Sequence, residues 1–102
     1  MIRVVAIITA KPGRRDEVLT AFRAVVPIVR AEQGCIEYQP TVDAEGFGAR
    51  QTNAGPDTFI VIETWADADS LKAHGVAPHM AAYGAKVRDL LVSVAVHYLS
   101  PT

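Results

Sequence analysis

The sequence predicts an α+β fold: a ferredoxin-like βαββαβ protomer built on one four-stranded antiparallel sheet. Three observations lead there. Four segments, residues 2–10, 35–42, 58–65 and 90–99, are rich in β-branched and aromatic residues with alternating side chains. One helical stripe lies between the first and second segments, and a second helical region lies between the third and fourth. The second and third segments are joined by a polar, glycine-rich loop without helical periodicity, so they read as a hairpin.

Residues 2–10 place Ile2, Val4, Ala6 and Ile8 on one side and Val5 and Ile7 on the other, a strand apolar on both faces. Lys11-Pro12-Gly13 ends it. Residues 14–32 form a helix with Val18, Phe22, Val25, Val26 and Val29 in one stripe. Pro27 predicts a kink or break, because it lacks an N–H and crowds the carbonyl of Arg23. Gln33-Gly34 closes the helix with a C-terminal glycine cap. The second strand puts Ile36, Tyr38 and Val42 on one face, and Pro40 assigns it to an edge or a bulge. Residues 43–57 form a long connection that reads equally as a lid, a partner arm or a plain mobile loop. The third strand sets Phe59, Val61, Glu63 and Trp65 against Ile60, Ile62 and Thr64. Asp67 or Asp69 caps a short helix over 68–74, Gly75 interrupts it, and Pro78 opens a further helix to about residue 88. In the last strand Leu90, Val92, Val94, Val96 and Tyr98 alternate with Leu91, Ser93, Ala95, His97 and Leu99.

At 102 residues the chain is one domain, 1–102, and half its residues are hydrophobic, enough for a real core. A formal net charge of -1 leaves no basic excess to neutralise phosphates, so no nucleic-acid partner is expected. No polybasic cluster addresses an acidic membrane surface, and no apolar run reaches the length of a span. The single cysteine, Cys35, excludes an internal disulfide and fits a reducing compartment. It reads as a small buried apolar residue rather than a nucleophile. The N-terminal apolar run stops at Lys11-Pro12-Gly13 without a cleavage site, so a signal peptide is not expected and the location expected is cytoplasmic.

Two helices cover one face of a ferredoxin-like sheet, yet three strands here are apolar on both sides. An exposed patch of that size is unusual on a monomer. A homodimer, sheet against sheet, follows as an expectation.

Glu63, Trp65, His74 and His79 are the residues that could converge as a site. Glu63 falls among apolar neighbours, where an ionised carboxylate needs a partner or a shifted pKa. Paired with His79, it would fix the imidazole tautomer and raise basicity at the far nitrogen; the same pair could instead simply tie helix to sheet. Trp65 could stack on an aromatic substrate or fill the core. Tyr83 and Phe22 could line the same cavity, and Tyr38 could offer a phenol donor. His74 fits a helix C-terminus, with pocket lining as its second role. A metal held by His74, His79 and Glu63 is not expected, because the histidines are five residues apart with Gly75 and Pro78 between them, whereas helical ligands prefer three or four.

The pattern Glu32-x-Gly34-Cys35-x-x-Tyr38, Phe59-x-x-x-Glu63-x-Trp65, then Leu71, His74 and His79 resembles the antibiotic biosynthesis monooxygenase domain family, dimeric α+β barrels. That resemblance implies a sheet-to-sheet dimer with a pocket between sheet and helices in each protomer. It also implies oxidation of quinols or anthrones by dioxygen without metal or flavin; other relatives degrade haem or rearrange small phosphorylated molecules. The asparagines used by anthrone-oxidising and haem-degrading relatives are missing, since Asn53 in the loop is the one asparagine of the chain. The quinol-type subgroup fits best. The reading is therefore a monooxygenase without cofactors acting on a small quinol or polyphenol, with His79 as base and Glu63 as its orienter. Two alternatives stay open: a non-catalytic binding or stress-response module, and an isomerase of a phosphorylated metabolite anchored by Lys72, Lys86 or Arg50.

Overall fold

The structure, a computed structural model, describes residues 1–102. In chain order it comprises β1 (Ile2–Ala10), α1 (Arg15–Arg30), β2 (Cys35–Thr41), β3 (Thr58–Trp65), α2 (Ala68–Gly75), α3 (Pro78–Val87) and β4 (Leu91–Leu99). The strands form one sheet in the order β2-β3-β1-β4, and every neighbouring pair is antiparallel. This is the ferredoxin-like arrangement, with the second helical region split in two. No helix is long and apolar enough to cross a membrane.

The front of the sheet is its helix side. Val4, Ala6 and Ile8 of β1 stand there beside Glu63, Val61 and Phe59 of β3, and all six are buried. Against them α1 lays Val18, Leu19, Phe22, Val26 and Val29. Phe22 stacks on Tyr38 with ring centroids 5.3 Å apart and meets Phe59 and Tyr83 edge-on at 5.5 Å.

Several local expectations are revised. Pro27 does not break α1, which continues to Arg30. The carbonyl it frees belongs to Arg23, an exposed residue, where water can serve it. The helix nevertheless ends before Glu32. The turn is closed by Ala31 N–H on the carbonyls of Pro27 and Ile28, and by Glu32 N–H on Val29. Gly34, at φ +81°, then swings the chain into β2. In β2, Cys35 pairs with Trp65 and Glu37 with Thr64, so Ile36 is an extra residue in a bulge. The bulge separates Ile36, which is exposed, from Tyr38, which is buried, where unbroken alternation put them on one face. Pro40 lies on an edge strand, as its missing donor requires.

On the rear, Val5, Ile7, Ile60 and Ile62 form a half-buried apolar centre. Polar ladders flank it: Thr9 with Thr58 at 2.9 Å on one side, and Arg3, Thr64 and Glu37 on the other. The helices do not shelter the whole front either. On β4, Val94, Val96 and Tyr98 stand opposite Ile8, Ala6 and Val4 on the helix side, yet they are 53%, 42% and 67% exposed. The helices pack chiefly over β2, β3 and β1 and leave these β4 side chains largely uncovered.

Residues 43–57 are pinned at their base. The Asp43 carboxylate accepts the N–H groups of Ala54 and Gly55, each at 2.9 Å, which holds its pKa below the usual carboxylate range. Phe47 at the loop's tip is exposed.

Candidate active site

Between the front of the sheet and the helices opens a cleft of about 580 Å³, within the usual range for small-molecule sites. Fifteen of its nineteen lining residues are hydrophobic, so its occupant must be largely apolar. The floor is Val4, Ala6, Ile8 and Val61. Leu71, Met80 and Tyr83 come from the helices, and the uncovered β4 side chains Val94, Val96 and Tyr98 form the far wall. The polar groups in this wall are few: Glu63, His74, the hydroxyls of Tyr38, Tyr83 and Tyr98, and the exposed Lys72.

Alternation along β3 carries Glu63 inward with Phe59, Val61 and Trp65. Its carboxylate accepts the indole N–H of Trp65 at 2.9 Å. Burial pushes its pKa up, and the indole donor together with the nearby His74 imidazole offsets part of that rise. Burial also raises the phenol of Tyr38, and it pushes that of Tyr83 up to about 12, so both remain protonated donors at neutral pH. The Tyr83 hydroxyl is buried without a hydrogen-bond partner.

The carboxylate that holds the histidines is Glu32, not Glu63. His74 Nδ1 and His79 Nε2 each lie 2.9 Å from the same atom, Glu32 Oε2. An ionised carboxylate can only accept, so each of these nitrogens carries a proton. In a neutral ring this places the lone pair of His74 on Nε2, which makes no hydrogen bond to the protein. Its ring packs between Trp65, 4.8 Å away and tilted by 35°, and Tyr38, edge-on at 5.4 Å. These neighbours leave the imidazole little freedom to turn.

Of the residues singled out from sequence, Phe22, Tyr38, Glu63, His74 and Tyr83 meet at the cleft. Two do not. Trp65 is fully buried behind His74 and is not part of the cleft wall. His79 lies on the far side of Glu32, outside the lining, and makes no pair with Glu63. His97 pairs with Val5 and so projects to the rear. The sequence predicts Glu32 as the last residue of a helix and its Glu32-x-Gly34-Cys35 pattern points to it; in the structure it lies in the turn beyond α1. The three-or-four spacing of helical ligands holds within one helix and does not govern His74 and His79. They stand on two, joined by a break at Val76–Ala77, and their donors meet Glu32 within 4.8 Å of one another.

A family model described as "Antibiotic biosynthesis monooxygenase" matches residues 1–86. The chain is 37% identical over 103 residues to "Probable quinol monooxygenase YgiN" of Escherichia coli (strain K12), covering 99% of this chain and 98% of that protein. Among solved structures, PA3566 from Pseudomonas aeruginosa superposes with a TM-score of 0.81 at 28% identity, covering 99% of this chain and 93% of that one. Rv0793 from Mycobacterium tuberculosis gives 0.81 at 27% identity, covering 99% and 94%.

Proposed function

This chain belongs to the antibiotic biosynthesis monooxygenase family, and from that premise we propose that it oxidises a small quinol or related polyphenol with dioxygen, without a cofactor. The observation that carries the reading is His74. Its ring forms part of an apolar cleft wall, its Nδ1 proton is held by Glu32 at 2.9 Å, and its Nε2 is free to accept a proton. The base is thus His74 and its orienter Glu32, in place of His79 and Glu63.

The chemistry balances without an outside reductant. A quinol hydroxyl gives its proton to His74 Nε2, and the electron-rich phenolate passes one electron to dioxygen. Superoxide and the ring radical combine to form a C–O bond. The peroxide recovers the proton from the imidazolium and loses water, leaving a hydroxylated quinone. Dioxygen takes four electrons, all from the quinol; one oxygen atom stays in the product and the other leaves as water. Glu63 accepts the second hydroxyl, and the unpaired Tyr83 phenol donates to a substrate oxygen. The low-dielectric cleft strengthens these contacts.

Lys72 is the one cation among the lining residues, while Arg50 and Lys86 are not among them. Apolar walls with a single edge lysine fit a phosphorylated substrate poorly. A second copy docked on the rear centre of Val5, Ile7, Ile60 and Ile62 completes the proposed assembly.

Oxygen uptake with a panel of benzo- and naphthohydroquinones tests the function. His74→Gln should lower kcat by on the order of 10²–10⁴, the usual worth of a positioned base. Uptake no faster than autoxidation across the panel, or unchanged turnover in His74→Gln, refutes the reading.

A further inference from the structure

We propose that Glu32, His74 and His79 also form a binding site for a divalent transition-metal ion of the zinc class, and that its occupation silences the cleft base. The three donors come from separate segments: the turn after α1, the end of α2 and the start of α3. Their ligand atoms lie within 4.8 Å of one another, and both imidazole nitrogens are 2.9 Å from Glu32 Oε2. Zinc bonds of 2.0–2.1 Å in a tetrahedron set neighbouring ligand atoms about 3.3 Å apart. To admit an ion the two Glu32–imidazole gaps must open by a few tenths of an ångström, and the two imidazole nitrogens, up to 4.8 Å apart, must draw together by about an ångström or more.

Simple hydrogen bonding does not require this convergence. Two structural bonds would be served as well by one carboxylate oxygen each, yet both fall on Oε2, and Oε1 takes no hydrogen bond from the protein. The tilted Trp65 and edge-on Tyr38 rings hold the His74 plane, as an outer shell does around a metal ligand. Side-chain exposure rises from 9% at His74 through 16% at Glu32 to 24% at His79, giving an ion an approach from the His79 side and leaving room for a water as fourth ligand. Two imidazoles and a carboxylate suit Zn²⁺, Co²⁺ or Ni²⁺ rather than Mg²⁺ or Ca²⁺.

The consequence for catalysis rests on the reading of His74 as the base. Without an ion, Nδ1 carries the proton and Nε2 the lone pair. A metal on Nδ1 requires the proton there to move to Nε2 and bonds to the lone pair this uncovers, so the neutral ring then carries its proton on Nε2 and can no longer accept one from substrate.

The test uses the full chain. Calorimetry with Zn²⁺ should show one site, Co²⁺ should give the intense visible bands of a four-coordinate ion, and Mg²⁺ should give neither. His79→Gln, checked for folding by its thermal transition, should weaken Zn²⁺ by more than the 10–100-fold that loss of an outer-shell partner costs. His97→Gln should bind as the parent does. Stoichiometric Zn²⁺ should stop quinol-dependent oxygen uptake, and a chelator should restore it. Absence of a site by calorimetry, water-like cobalt spectra, or unaltered affinity in His79→Gln overturns the site. Binding without inhibition overturns the silencing. One Zn²⁺ bound by a chain that oxidises no quinol leaves the site standing and removes the monooxygenase reading instead.

Discussion

Replacing Gly34 by alanine probes the turn that delivers Glu32 to the histidines. Gly34 sits at φ +81°, and a Cβ there would lie 2.2 Å from Ser70 Oγ and 2.4 Å from Ser70 Cβ. The left-handed conformation alone costs an L-residue about 1–2 kcal/mol. The clash is separate and larger in consequence. Ser70 Oγ could rotate away, but its Cβ is fixed to α2, and carbon atoms settle about 3.5–4.0 Å apart, so the helix must retreat by about 1 Å. Overpacking of that kind costs typically 1–3 kcal/mol, which brings Gly34→Ala to a loss of about 2–5 kcal/mol. Gly13→Ala is the matched control: Gly13 has φ +77° with nothing within 4 Å of its would-be Cβ, so it should lose only the conformational part. Urea denaturation of both variants measures the difference, and Gly34→Ala with Ser70→Gly should recover most of it. A Gly34→Ala loss within about 0.5 kcal/mol of the Gly13→Ala loss, a difference typical of ordinary surface changes, would refute the packing attributed to this turn.

Two further outcomes follow from the same geometry. Burial holds the Glu63 pKa above its ordinary 4.5, so the folded state binds that proton more tightly than the unfolded chain does. Its contribution to stability is then fully present below the unfolded pKa and is lost as pH rises through the folded one. Glu63→Gln keeps an acceptor for the Trp65 indole but cannot ionise. It should gain stability over the parent at pH 8 and lose that advantage at pH 4, measured by denaturant midpoints; a variant equally destabilised at both pH values contradicts the sign. On the rear face, Ile7→Lys puts a charge at the centre of the proposed dimer interface. Sedimentation at micromolar concentration should show a dimer for the parent and a monomer for the variant, whereas a monomeric parent removes the proposed assembly.

The sequence by itself determined the order of elements, the two-faced character of β1 and β3, and the inward aim of Glu63. Each follows from local covalent periodicity: side chains alternate along a strand, so Phe59, Val61, Glu63 and Trp65 had to share a face, and all are buried. The edge position of Pro40 was legible too, because a residue without an N–H cannot bridge two neighbours. Only the tertiary structure decided which carboxylate the histidines meet. Glu32 and Glu63 were both available, and the choice depends on where α1 stops, how Gly34 turns and how α2 breaks into α3. Those are distances set by packing between segments up to 47 residues apart, and no alternation or spacing rule reaches across them. The same holds for β4, whose apolar front became the wall of a cleft because the helices leave it largely uncovered. Pattern tells a residue which way to face; only the assembled layers tell it what it faces.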